Sequence, residues 1–164
     1  MTATYEPIST QTLGTATATV TFSSIPATYT DLVLVFNGSV TSGNPSIIGR
    51  FNSDTGTNYS YTRMFGNGST AGSARGTSST SLGLSTAAGA TTTFETTLIC
   101  HVFNYANSTT NKTCIARNNV ASTGVEMSVS LWRNTSAITS FSVIADGSTF
   151  AIGSTFTLYG IKAE

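Results

Sequence analysis

The sequence predicts an all-β protein: a two-sheet antiparallel β-sandwich, jelly-roll-like, with a short extended N-terminal arm. Three observations predict it. Thr and Ser fill 32 and 23 of the 164 positions, and Thr is stiff at its first side-chain torsion, which disfavours helix and suits a pleated surface. Helix formers are scarce, with two Lys, four Glu and one Gln, and no segment sustains a 3.6-residue apolar period. A period of two is plain instead, most clearly in Thr15-Ala-Thr-Ala-Thr-Val-Thr-Phe22.

Residues 1–11 read as the arm and 12–164 as a single sandwich domain, with no internal repeat and no linker. On the arm, Tyr5, Glu6, Pro7 and Ile8 are candidate assembly contacts. Its apolar groups either fold back on the domain or dock on a neighbouring chain, and Pro7 biases the segment toward an extended form. The expectation is an arm that is mobile in the isolated protein and ordered in an assembly. Thr15–Phe22 is the first strand, with Ala16, Ala18, Val20 and Phe22 on one face. Ile25-Pro-Ala-Thr-Tyr29 turns the chain. Asp31–Phe36 is apolar on both faces, which marks a central strand. Ile47–Asn52 and Tyr59–Phe65 follow, joined by the turn Asp54-Thr-Gly-Thr-Asn58. Gly66–Ala90 is rich in Gly, Ser, Thr and Ala, with Leu82 and Leu84 its large apolar side chains, and reads as a long surface loop holding one short strand. Strands return at Phe94–Phe103, Lys112–Arg117, Val125–Trp132, Ile138–Ala145 and Thr155–Ile161, separated by turn residues. Eight or nine short strands with polar turns make a sandwich.

Charge narrows the function. Only 9% of residues are charged, and seven basic side chains balance seven acidic ones. Such a chain has no electrostatic footprint for nucleic acid or an anionic membrane, and no apolar run approaches the length of a membrane span. A free monomer keeps a charged, mixed surface for solubility. A hydroxyl-rich, nearly uncharged surface suits a protein packed against copies of itself or a larger particle. Met1-Thr-Ala-Thr-Tyr5 has neither the basic nor the apolar region of a secretory signal, so synthesis in a cytoplasm is expected. The Asn-x-Ser/Thr triplets at Asn37, Asn58, Asn67, Asn107, Asn111 and Asn134 then carry no glycans.

Catalysis has little to stand on. The one histidine, His101, lies mid-strand and reads as packed. Asp31, Asp54, Asp146, Glu6, Glu95, Glu126 and Glu164 are scattered, with no pair placed to act across one bond. Asp54–Asn58 resembles the start of a calcium loop but lacks the further oxygen ligands and the distal Glu. No enzyme, metal or cofactor is implied. Asp54, Asn58, Tyr59 and Tyr61 are candidate surface-loop contacts, since Tyr59 and Tyr61 share a strand face; Trp132 is a further aromatic that would suit a sugar. Cys100 and Cys114 flank a turn-rich stretch near Asn107, which sets two thiols across a hairpin. They are either buried thiols or a disulfide formed after release from the cell.

Tyr5-Glu-Pro-Ile8, Thr19-Val-Thr-Phe-Ser-Ser-Ile-Pro26, Tyr29-Thr-Asp-Leu-Val-Leu-Val35, Arg50-Phe-Asn-Ser-Asp-Thr-Gly-Thr-Asn-Tyr-Ser60 and Phe156-Thr-Leu-Tyr-Gly-Ile-Lys162 together resemble a family of small structural proteins of tailed bacteriophages, cyanophages among them. The resemblance runs from Tyr5 to Lys162. It implies an all-β virion component without enzymatic activity, made in the host bacterial cytoplasm, and supplies no catalytic residues. Two roles follow. One is a capsid decoration or cement protein that binds the major capsid protein or other virion proteins and stabilises the head shell. It would act as a homotrimer, by analogy with small decorating sandwiches on local threefold axes. The alternative is a tail- or fibre-associated adhesin that binds host surface glycan. The short chain and short arm favour decoration.

Overall fold

The computed structural model describes residues 4–93 and 95–162. Its strands are β1 (Tyr5–Thr12), β2 (Thr19–Phe22), β3 (Asp31–Gly38), β4 (Ile47–Phe51), β5 (Tyr59–Gly66), β6 (Ala71–Ser79), β7 (Leu82–Ser85), β8 (Thr96–Val102), β9 (Lys112–Val120), β10 (Gly124–Trp132), β11 (Phe141–Ala145) and β12 (Thr155–Ile161). Phe94, expected to open the strand that became β8, lies outside the described residues. An eight-stranded sheet has the order β1-β12-β3-β8-β9-β10-β5-β6, and a four-stranded sheet the order β2-β11-β4-β7. All paired strands are antiparallel.

The order is that of a jelly roll with additions. If β2 to β8 and then β11 are taken as a series of eight, the small sheet holds members 1-8-3-6. The large sheet holds 2-7-4-5 once β9 and β10 are set aside. The β9–β10 hairpin is thus inserted between the seventh and fourth members, and β12 and β1 extend the outer edge. Between the sheets lies an aromatic core. Phe51 packs against Phe141 and Trp132, with ring centroids 4.9 and 5.6 Å apart, and Phe36 stacks on Phe156 at 4.6 Å. β3 lies inside its sheet, as expected, with β12 on one side and β8 on the other.

Three elements depart from the sequence pattern. The alternation from Thr15 forms regular strand only at Thr19–Phe22. Ala16 and Ala18 stay exposed, because a methyl group buries too little area to hold a strand on the core. The expected loop Gly66–Ala90 instead supplies two strands, β6 and β7. β6 lacks large side chains because its inner face lies under those of β5: a Cβ on Gly72 or Gly76 would meet the rings of Phe65 and Tyr61 at 2.7 and 2.5 Å.

The third departure is the arm. It is extended, but it is an edge strand of the protein's own sheet, with Tyr5 opposite Ile161 and Thr12 opposite Thr155. The boundary at residues 11 and 12 falls within this strand, and the segment is paired with β12 of its own chain. Pro7, which has no N–H to give a ladder, sits beside a register shift between Pro7 and Ser9, a place an edge strand tolerates. Ile8 packs against the core. The Glu6 carboxylate accepts hydrogen bonds from Lys162 Nζ at 2.7 Å and Tyr29 Oη at 3.2 Å. Tyr29 in turn lies flat on Gly160, where a Cβ would come within 2.2 Å of its ring. Glu6 thus clamps β1 to the chain's far end.

Deletion of residues 4–9 is expected to lower Tm by about 6 °C, read by thermal unfolding. The hydrogen bond from Lys162 holds the Glu6 carboxyl below its ordinary 4.5. A carboxylate depressed on folding stabilises the fold above its ordinary pKa and loses that effect as pH falls through the lowered value. The Tm gap between wild type and Glu6→Gln is therefore expected at pH 7 and should close in acid.

Candidate interaction surface

The β9–β10 hairpin breaks the usual rule that apolar residues face inward. On β9, Lys112, Cys114, Ala116, Asn118 and Val120 point inward, and on β10 so do Glu126, Ser128, Ser130 and Trp132. Ile115, Val125, Met127 and Val129 point out to solvent, the last three 57%, 43% and 51% exposed. The pattern is inverted over much of the hairpin, with Trp132, Cys114 and Val120 as the apolar residues that keep its inner face in register. A one-residue slip would bury the valines but expel Trp132.

The inward polar groups are matched except for Asn118 Oδ1, which has no hydrogen-bond partner. Glu126 is 3% exposed, and its carboxylate accepts backbone N–H groups from Thr86, Ala87 and Ala88 at 2.9, 2.6 and 3.0 Å. The Thr86 hydroxyl donates to it as well, at 3.1 Å. Asn118 Nδ2 donates to Ser85 Oγ at 2.7 Å and Ala88 O at 3.0 Å, and Ser128 Oγ donates to Gly83 O. Lys112 Nζ donates to Thr110 O and Thr135 O at 2.7 and 2.9 Å, while burial pulls its pKa down. Small Ala116, Ser128 and Ser130 let β7 approach closely, and these bonds fasten it to the large sheet.

With the hairpin's polarity reversed, the outer face of the eight-stranded sheet becomes apolar. One register row runs Tyr159, Val33, His101, Ile115, Val129. The next runs Val35, Ile99, Arg117, Met127, Met64. Of the seven large hydrophobic side chains exposed among the described residues, Tyr5, Met64, Ile115, Val125, Met127 and Val129 lie on this face, and Ile152 lies elsewhere. A hollow of about 210 Å³ opens near its β1 end, lined by Tyr5, Val33, Ile99, His101, Phe103, Ile115 and Arg117. The outer face of the small sheet differs: Thr21 and Ser142 hydrogen-bond there through their hydroxyls at 2.9 Å, beside Thr19 and Arg50.

No family model, no curated protein and no solved structure matches this chain.

Most residues singled out from the sequence fall elsewhere. Tyr5 does lie on the apolar face, in edge contact with Tyr159 at 6.4 Å. Glu6 and Ile8 hold β1 in place. Asp54 accepts hydrogen bonds from Gly56 N, Asn58 Nδ2 and Trp132 Nε1 at 2.8, 2.9 and 2.7 Å. Burial raises its pKa, and these donors more than offset that and hold it below the ordinary value. Asp54 and Asn58 therefore order a turn and anchor a core indole. Tyr59 and Tyr61 share a face as expected, but it is the inner one. Tyr59 is fully buried and stacks with Trp132 at 6.3 Å, so neither serves as a surface aromatic. Its hydroxyl accepts the Phe51 N–H and donates to Asp54 O, and burial pushes its pKa to about 12. Tyr61 alone of the four lines a surface groove, described below.

His101 points outward rather than into the core. Its Nε2 lies 2.9 Å from Asp31 Oδ2, and its ring packs on Phe103 at 4.2 Å. Cys100 and Cys114 are free thiols on the inner face, set diagonally: Cys114 opposes Val102 and Cys100 opposes Ala116. The hydrogen bond with Cys114 and then burial push the Cys100 thiol well up, so it stays protonated and unreactive. Glu126 and the outward valines and methionines escaped sequence reasoning. The one available signal was the alternation Val125-Glu-Met-Ser-Val-Ser-Leu131, which is silent about which set faces in.

Glu126→Ala is expected to destabilise the fold by about 3 kcal/mol, since it strands buried N–H groups, and Asp54→Ala by about 2 kcal/mol through the orphaned Trp132 indole. Chemical denaturation measures both.

Proposed function

We propose that this protein is a structural component of a bacteriophage virion, a decoration or cement protein that binds the head shell and stabilises it. The observation that carries this reading is the exposed apolar face of the eight-stranded sheet. A protein free in solution seldom leaves so continuous an apolar surface uncovered. On a particle such a face is covered by neighbours. The scarcity of charge supports the same reading, as does the resemblance of the chain to tailed-phage structural proteins. Four carboxylates, Glu6, Asp31, Asp54 and Glu126, hold the fold together through the bonds described above. Jelly rolls recur in viral capsids and in lectins, so the fold is compatible with either role, and function rests on the surface. The protein acts in this reading without catalysis, as a homotrimer against the major capsid protein.

One observation favours the adhesin alternative. A polar groove of about 550 Å³ runs beside β6, lined by Tyr61, Arg63, Ser79, Thr80 and Asp146 among others. Its hydroxyls, aromatic ring and opposed charges suit a saccharide.

Electron microscopy of virions labelled with antibody to this protein separates the two. Label over the head shell is expected, and heads lacking the protein should release their DNA at a lower temperature than complete heads. Label confined to the tail, with the purified protein retaining host glycan, would replace decoration with adhesion.

A further inference from the structure

We infer that the outer face of the eight-stranded sheet is where copies of this chain pack against one another. This deepens the assembly reading above and rests on it, by naming the occupant of the face.

Size is the first argument. Six strands from β12 to β5 carry the two apolar rows, and at about 4.8 Å between strands and about 6.8 Å between rows they cover about 400 Å². That matches the largest apolar patch of a typical monomer, a size that is often functional. With its polar rim the face of all eight strands reaches about 1,000 Å², more than the roughly 800 Å² per partner of a stable interface.

Shape and charge choose the occupant. A sheet face is a ready partner for another sheet face: two such faces interdigitate about 10 Å apart, as they do inside the sandwich itself. A second copy offers the same flat apolar rows. Electrostatics opposes this little, because the chain has no net charge. Of the charges around the face, Glu6 is paired with Lys162 and Asp31 is hydrogen-bonded to His101, while Arg75 stands exposed at the far rim on β6. Arg117 is the only permanent charge in the two central rows between β12 and β5, and its long aliphatic stem is itself compatible with an apolar contact. A partner recognised by charge would need a patterned face, and this one is not patterned.

The hairpin gives the third argument. Its register keeps Met127 and Val129 outward although their neighbours Glu126 and Ser128 are buried. The inner face of β10 is polar except for Trp132, so its valines and methionine stand where only a neighbour outside the chain can bury them.

The test is the oligomeric state of the full-length protein, by native mass spectrometry and sedimentation. Wild type is expected to form a closed oligomer at about 10 μM. Met127→Glu with Val129→Glu should be monomeric, with unchanged circular dichroism. Should that pair fail to fold, the near-isosteric Met127→Gln with Val129→Thr should weaken association at least about tenfold. Ile152→Glu, more exposed still but off the face, should assemble as wild type does. A wild type monomeric at about 100 μM, or a folded double variant with the wild-type mass, overturns the inference. So does a double variant that keeps its oligomer but no longer binds heads, which would give the face to the shell protein. Absence from virions with the oligomer intact would instead sink the virion role and leave this interface standing.

Discussion

The inverted polarity of the β9–β10 hairpin is the constraint on which the rest of the structure depends. Alternation in a strand is strict, so fixing one residue fixes them all. Trp132 must be inside, because its ring packs against Phe51 and its indole N–H needs the Asp54 carboxylate. Counting back by twos sends Ser130, Ser128 and Glu126 inward and leaves Leu131, Val129, Met127 and Val125 outside. A single anchoring aromatic thereby decides that a carboxylate is buried and that an apolar face meets solvent.

Each consequence is balanced locally. Inside, the small polar groups of the hairpin leave room for β7, whose chain comes close enough for Ser128 to bond Gly83 O and for Glu126 to gather three consecutive N–H groups. A buried carboxylate is costly unless it is fully hydrogen-bonded. Here it orders a segment, residues 86–88, that has no large side chains to order itself. Outside, no element among the described residues covers the exposed rows. The polarity that suits the interior of the hairpin is the same one that leaves apolar rows in solvent.

The termini follow a similar logic of mutual support. β1 adds little apolar area beyond Ile8, yet it is held along its length by β12 and at its start by the Glu6 clamp to Lys162 and Tyr29. It covers an edge of β12 that would otherwise offer free N–H and C=O groups to another chain. Among the described strands, β6 remains the edge at the other end of the large sheet, and its short side chains and Arg75 make it a poor template for further pairing.

The sequence by itself determined the class of structure and most of its elements. Hydroxyl density and period two excluded helix, the doubly apolar Asp31–Phe36 marked a central strand, and Asn, Asp and Gly located the turns, because these are local preferences of the backbone. Tertiary structure alone decided which face of each strand looks inward. Alternation is symmetric, and Tyr59, expected at the surface, and Val129, expected nowhere in particular, exchange roles according to where Trp132 is seated. It also decided the fate of weakly patterned segments. Residues 5–12 and 71–79 have too few large side chains to announce a strand, and they became strands only because β12 and β5 offered them an edge. The buried role of Glu126 was likewise invisible, since its partners lie 38 to 40 positions away and only the meeting of the two sheets brings them together.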